Sequence, residues 1–185
     1  MFKEHTYLFY KPFNVLSQFT KEHEDHITLA DYLDVEKDVY PVGRLDKDSE
    51  GLLLLTNNKD LINRVLHPST HKYKKYIVQL EGEINDEAIL ELQKGVLLRI
   101  NKKEFTTRPA LVSKIGEPIL AERNPPIRKR KELKTSWAEI SISEGKKRQV
   151  RKMFAAVNFP VLRLVRLEIA EFTLGNLKPG EYIKI

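Results

Sequence analysis

"GRLDKDSEGLLLL" (residues 43–55) sets Arg44, Asp46, Lys47, Asp48 and Glu50 between two glycines and then runs into four leucines. Side chains alternate along a strand, so four leucines in a row predict a strand covered on both faces. The charged residues then form a turn mounted on the end of a buried strand. The order Asp46, Asp48, Glu50, Gly51 imitates the opening of a calcium-binding loop, which needs oxygens at positions 1, 3 and 5 and glycine at 6. Position 12 is Asn57 instead of a bidentate Glu, "YPVG" (40–43) cannot be the entering helix, and Arg44 and Lys47 repel a cation. A metal-dependent nuclease using the same three acids fails for the same cations, and no other acid cluster completes such a site. Spacing leaves two readings open: a catalytic carboxylate on Asp46, kept ionised by Arg44, or an Asp that only hydrogen-bonds its own turn.

Outward from this stretch, strands and short helices interleave. "TYLFY" (6–10), "VYPVG" (39–43), "KKYIVQLEG" (74–82), "TRPALVSKI" (107–115), "TSWAEISIS" (135–143), "VLRLVRLEIAEF" (161–172) and "EYIKI" (181–185) read as strands. Tyr76, Val78 and Leu80 share one face of theirs. "NNKDLINRVLHP" (57–68) reads as a helix capped by Asn58, with Leu61, Ile62, Val65 and Leu66 as its stripe and Pro68 as its stop. "INDEAILELQKG" (84–95) carries a second, with Asn85 as N-cap, an Ile84–Ile89 staple and Gly95 past its end. A helix through 148–157 puts Val150, Met153, Phe154 and Val157 on one stripe and Arg148, Arg151 and Lys152 on the other face. "TKEHEDHITLADYL" (20–33) ends in a helical turn or two, and 116–134 is the expected long loop. This order predicts an α+β fold with a mixed, largely antiparallel sheet.

The chain has 185 residues, 41% hydrophobic, no cysteine and a formal charge of +6. That length holds one good-sized core, or a main domain with a small appendage; the missing cysteines remove disulfides and thiol nucleophiles, and no run approaches the roughly 20 apolar residues of a membrane span. With no signal peptide in "MFKEHTYLFYKPF", the expected compartment is the cytoplasm. The positive charge gathers in "HKYKKY" (71–76), "RNPPIRKRKELK" (123–134) and "GKKRQVRK" (145–152), which together favour a nucleic-acid partner. His67 and His71 are four apart, but Pro68 breaks the helix that would align them on a metal.

"GRLDKDSEGLLLLTNN" resembles the signature of the RsuA-like pseudouridine synthases, G-R-L-D-x-x-(S/T)-x-G-L-L-(L/I)-L-T-N. "YKPFNVLS" (10–17) is similar to the family's K-P-x-G-V motif, "KKYIVQLEG" to its K-x-Y-x-V strand, and "EGKKRQVRKMF" (144–154) to its G-x-x-R-Q-V-R-R-M helix. "LRLVRLEIAEFTLGNLKPGEY" matches the family's C-terminal segment, and "RNPPIRKRKELKTSW" points to a subgroup acting on large-subunit ribosomal RNA. Asn14 stands where the family has glycine, a substitution the turn survives because Asn tolerates the left-handed conformation.

The resemblance implies one catalytic domain over 1–185, with flanking helices around a central RNA-binding cleft and no N-terminal S4-type domain. It implies Asp46 as nucleophile, Tyr76 stacking on the flipped uracil and helping deprotonate C5, and Arg151 keeping Asp46 charged. Arg44 would pair with phosphate or brace the turn, and Leu164, with Leu162 as the alternative, would cover the base. Lys11, Arg128, Lys129, Arg130, Lys147 and Arg148 complete the expected RNA contacts. No metal or cofactor is implied. The expected partner is 23S ribosomal RNA, free or in an assembling subunit, and the expected state is a monomer. The rival readings are an RNA-binding assembly factor without chemistry, and the same reaction on another RNA.

Overall fold

The computed structural model describes residues 3–67, 72–100, 102–127 and 134–185. Along the chain come β1 (Thr6–Lys11), β2 (Tyr40–Val42), β3 (Glu50–Thr56), α1 (Lys59–Leu66), β4 (Lys74–Glu81), α2 (Asp86–Lys94) and the β5 (Leu97–Ile100) and β6 (Lys103–Thr106) pair. They are followed by β7 (Leu111–Ile115), β8 (Thr135–Ile142), α3 (Gln149–Ala156), β9 (Val161–Ile169), β10 (Phe172–Thr173) and β11 (Tyr182–Lys184). The fold is α+β and the strand pairing is mostly antiparallel, as the alternation of elements predicts. The chain divides into two compact units, 1–72 with 165–185, and 73–164.

In the first unit β3 is the central strand. It runs antiparallel to β1 from Thr6↔Thr56 to Lys11↔Gly51, and β2 pairs with its C-terminal half. The middle of β9 pairs parallel to its start, at Glu50↔Val165 and Gly51↔Arg166. Every residue of β3 is buried, the four leucines completely, which is the two-sided covering their sequence predicts. Gly51 makes the parallel pairing possible: it sits at φ +102, and a β-carbon there would lie 2.3 Å from the Arg166 carbonyl oxygen. Tyr7, Phe9, Val15, Leu29, Leu33, Val39, Leu53 and Leu55 pack together as one apolar cluster. The polar tract before Leu29 yields only a single helical turn, Leu29–Asp31.

In the second unit β4 and β8 pair along eight residues, from Lys74↔Ile142 to Glu81↔Thr135, and β7 adds to the far side of β8. Tyr76, Ile77 and Val78 are all buried, so β4 is covered on both faces rather than one. The α2 helix begins at Asn85, whose side chain accepts the Ala88 N–H at 2.9 Å, and closes at Gly95. Asn58 caps α1 in the same way, accepting from Leu61 N–H at 2.8 Å, though Leu66 at the helix end is exposed. The β5–β6 hairpin, a separate two-stranded sheet, has no counterpart among the expected strands. The strand expected from Thr107 begins only at Leu111. No helix among the described residues is long and apolar enough to cross a membrane.

Candidate active site

The 43–50 turn hangs between β2 and β3. Gly43 opens it at φ +64, where a β-carbon would approach Ile169 Cδ1 to 2.8 Å, so this corner favours glycine. Leu45 turns inward and is buried, anchoring the turn by its side chain. Asp46 is half-buried and its carbonyl accepts the Ser49 N–H at 3.0 Å, closing a tight turn immediately beyond the carboxylate.

Backbone on both sides of Asp46 is tied to residues far away in sequence. The Ser17 hydroxyl donates to the Leu45 carbonyl at 2.8 Å and accepts the Leu45 N–H at 3.2 Å. The Lys47 carbonyl accepts the Asn14 N–H at 2.9 Å and a longer bond from Lys11 Nζ at 3.4 Å. Asn14 stands at φ +67, the left-handed conformation expected of a residue replacing glycine. Arg166, itself buried, donates Nη2 to the Gly43 carbonyl at 2.7 Å and Nε to the Leu52 carbonyl at 2.8 Å. One guanidinium thus fastens both ends of the turn.

Lys11 needs correcting against expectation. Its side chain is fully buried, and Nζ donates to the carbonyls of Val15 at 2.7 Å and Pro12 at 2.9 Å besides Lys47. It is an internal brace beneath the turn and is removed from any RNA-facing surface. Burial drives the Lys11 ammonium down to about 7, against the opposing pull of the Glu50, Asp48 and Asp46 carboxylates and with the Arg166 charge adding to the depression. Arg44 is exposed, and its Nη2 donates to Gln18 Oε1 at 3.2 Å, which leaves the guanidinium at the surface where a phosphate can reach it.

The second unit carries the remaining candidates. Tyr76 is buried on β4, opposite Ile140 of β8, and Leu164 is buried on β9, while Leu162 is half-buried. Arg151 lies on α3, half-buried, and its Nη1 donates to the Val161 carbonyl at 3.2 Å, linking the helix to the start of β9. Val150, Met153, Phe154 and Val157 are buried as their spacing predicts. Lys147 and Arg148 are exposed, and Arg148 is the N-cap of α3 at φ +54. Arg128, Lys129, Arg130 and His71 lie outside the described residues.

Ser17, Arg166 and Gln149 were not among the expected site residues. Gln149 is buried; its Oε1 accepts the Lys146 N–H at 2.9 Å and its Nε2 donates to Glu144 Oε1 at 2.6 Å, fixing the loop before α3. A polar residue on an otherwise apolar helix stripe was the available signal for Gln149. Nothing comparable marks Ser17. Among the described residues no three His, Asp or Glu side chains gather as a metal site.

The sequence profile of the RNA pseudouridylate synthase family matches residues 5–156. The chain is 46% identical over 178 residues to the ribosomal large subunit pseudouridine synthase E of Vibrio parahaemolyticus, covering 96% of this chain and 72% of the relative. It is 43% identical over 174 residues to the protein of that name from Xanthomonas campestris, covering 93% of this chain and 90% of the relative. Among solved structures, a crystal structure of a pseudouridylate synthase superposes with a TM-score of 0.78 at 27% identity, over 99% of this chain and 70% of that one.

Proposed function

Since the chain belongs to the RNA pseudouridylate synthase family, we propose that it isomerises a specific uridine to pseudouridine in large-subunit (23S) ribosomal RNA, with Asp46 as nucleophile. The Asp46 carboxylate attacks the target nucleoside, the N1–C1′ bond breaks, and uracil turns within the site and rejoins C1′ through C5 as Asp46 is released, C5 losing a proton and N1 gaining one. Tyr76 stacks on the extruded base and assists that proton transfer. An aromatic face compensates for the stacking lost when a base leaves its RNA. Arg151 supplies positive charge that favours the ionised form of the nucleophile. Leu164 covers the base, while Arg44, Lys147, Arg148 and the Arg128–Arg130 cluster contact phosphate. The reaction uses no metal or cofactor and is carried out by a monomer in the cytoplasm, on free or assembling ribosomal RNA.

The observation carrying this reading is the clamped turn. Asp46 is half-buried while Ser17, Lys11, Asn14 and Arg166 hold the backbone on either side of it. A docking residue needs no such fixation, whereas a reacting group misplaced by an ångström costs about a hundredfold in rate. The test is carbodiimide labelling with primer extension on unmodified large-subunit ribosomal RNA incubated with the protein. One new stop establishes the reaction and names the uridine. RNA that is bound yet shows no stop would favour the assembly-factor reading or another RNA substrate.

A further inference from the structure

We propose that the β5–β6 hairpin and the loop entering α3 form one basic surface that grips the RNA phosphate backbone, an inference resting on the reading of the chain as an RNA-modifying enzyme. It extends the 145–152 cluster to a second element that has no part in the chemistry. Residues 99–108 and 144–152 carry nine Lys and Arg against two Glu, a net charge of +7 where the whole chain has +6. The rest of the chain is therefore near neutral. Such concentration of one sign produces a local potential far stronger than the overall charge indicates.

The two segments are joined. Arg108 N–H and Gln149 Nε2 both donate to Glu144 Oε1, at 2.9 and 2.6 Å, so this carboxylate is spent on stitching the loop to the chain beyond the hairpin. Lys146 Nζ stands 4.7 Å from the centre of the Phe105 ring, and Lys152 Nζ donates to the Arg99 carbonyl at 3.1 Å. Arg99, Lys102 and Lys103 are exposed on the hairpin, and Lys147 and Arg148 on the loop. Arg148 is held in a left-handed backbone that non-glycine residues seldom adopt, and strain of this kind collects at binding sites.

The hairpin is also built to be rigid. An isolated two-stranded hairpin is marginal in water, and this one stands outside the large sheet. Its base is pinched where Gly95, at φ +99, lets the Thr107 carbonyl approach to 2.3 Å of where a β-carbon would be. Val96 N–H donates to Thr107 Oγ1 at 3.0 Å, Thr107 N–H returns a 2.9 Å bond to the Val96 carbonyl, and Leu98 is buried. Protein–protein interfaces deplete charge from their centre and rely on apolar anchors. A surface in which cations fill the centre suits a phosphate chain.

The test is the triple variant Arg99→Gln, Lys102→Gln, Lys103→Gln, assayed for binding to unmodified large-subunit ribosomal RNA transcript over a salt series. Affinity should fall roughly tenfold near 0.1 M salt, and the slope of log affinity against log salt should become shallower by about two units. The charge-keeping variant Arg99→Lys, Lys102→Arg, Lys103→Arg should retain both values, which separates charge from folding. Unchanged affinity and slope in the Gln variant overturn the surface. So does a variant that loses binding to polyglutamate while keeping RNA affinity, since that assigns the patch to an acidic protein partner. Wild-type protein that binds the transcript with the expected slope but forms no pseudouridine refutes the catalytic reading and leaves this surface standing.

Discussion

Lys11 brings a positive charge into a fully buried position and spends it on backbone carbonyls, two in its own turn and one in the turn that carries Asp46. Three acceptors suit an ammonium, while burial holds the group down to about 7, so its proton is loosely held near neutrality. In the unfolded chain a lysine keeps its proton to about 10.4. Between these values the unfolded state binds more protons, so the contribution of this group to stability rises with pH. Wild-type protein should therefore gain stability relative to Lys11→Met between pH 7 and pH 10, read from urea midpoints; a difference that stays constant over that range would mean the lysine remains charged inside. Ser17 acts on the other side of Asp46 through both backbone groups of Leu45. Ser17→Ala should cost about 1–3 kcal/mol of stability and lower single-turnover rate roughly tenfold or more, with RNA affinity retained. Equal losses in rate and affinity would make Ser17 a general structural residue. Residue-scale roles of this kind were the least legible in sequence. Lys11 reads as a surface cation because lysines are rarely buried without partners, and only the fold brings residues 12, 15 and 47 around it.

At the scale of elements, β3 was the most legible. Four leucines left no polar face, and the strand is buried from Glu50 to Thr56. What sequence could not show is the neighbour: Gly51 is glycine because Arg166, 115 positions later, lies against it. Gly51→Ala should cost about 3 kcal/mol or more, since the methyl group meets backbone at both a forbidden distance and a strained φ. A chemical-denaturation midpoint close to wild type would show that β9 can shift away. The caps Asn58 and Asn85 were legible because their chemistry is local. The β5–β6 hairpin was not. Its turn carries Lys102 at φ +64, a conformation for which lysine gives no signal, and "GVLLRINKKEF" lacks clean alternation. The overlong β7 expectation failed because residues 108–110 leave the ladder, with Arg108 N–H bonded to Glu144 instead of to a strand.

For the whole molecule, charge distribution was legible and its placement was not. The three clusters read from sequence favoured nucleic acid, yet a net charge of +7 comes from two segments about 40 residues apart that the fold stitches together. Family membership was legible because the turn motif must satisfy several local demands at once: glycine at its first corner, a leucine to anchor it and a buried strand to mount it. The chemistry proposed passes charge through protein carboxylate and RNA alone. Single-turnover pseudouridine formation on a short RNA hairpin that folds without divalent ions should therefore be unchanged by EDTA. A rate that falls with chelation and recovers with a divalent cation would add a metal to the mechanism.

The most direct test of the central claim, that the clamped turn exists to hold Asp46 for chemistry, pairs two readings on Asp46→Asn: pseudouridine formed in large-subunit ribosomal RNA, and affinity for the same RNA. The substitution keeps size and hydrogen-bonding capacity but removes the nucleophilic charge. Pseudouridine should vanish while affinity stays within about threefold of wild type. Residual turnover near the wild-type rate, or a large loss of binding with chemistry intact in the RNA still bound, would contradict the account.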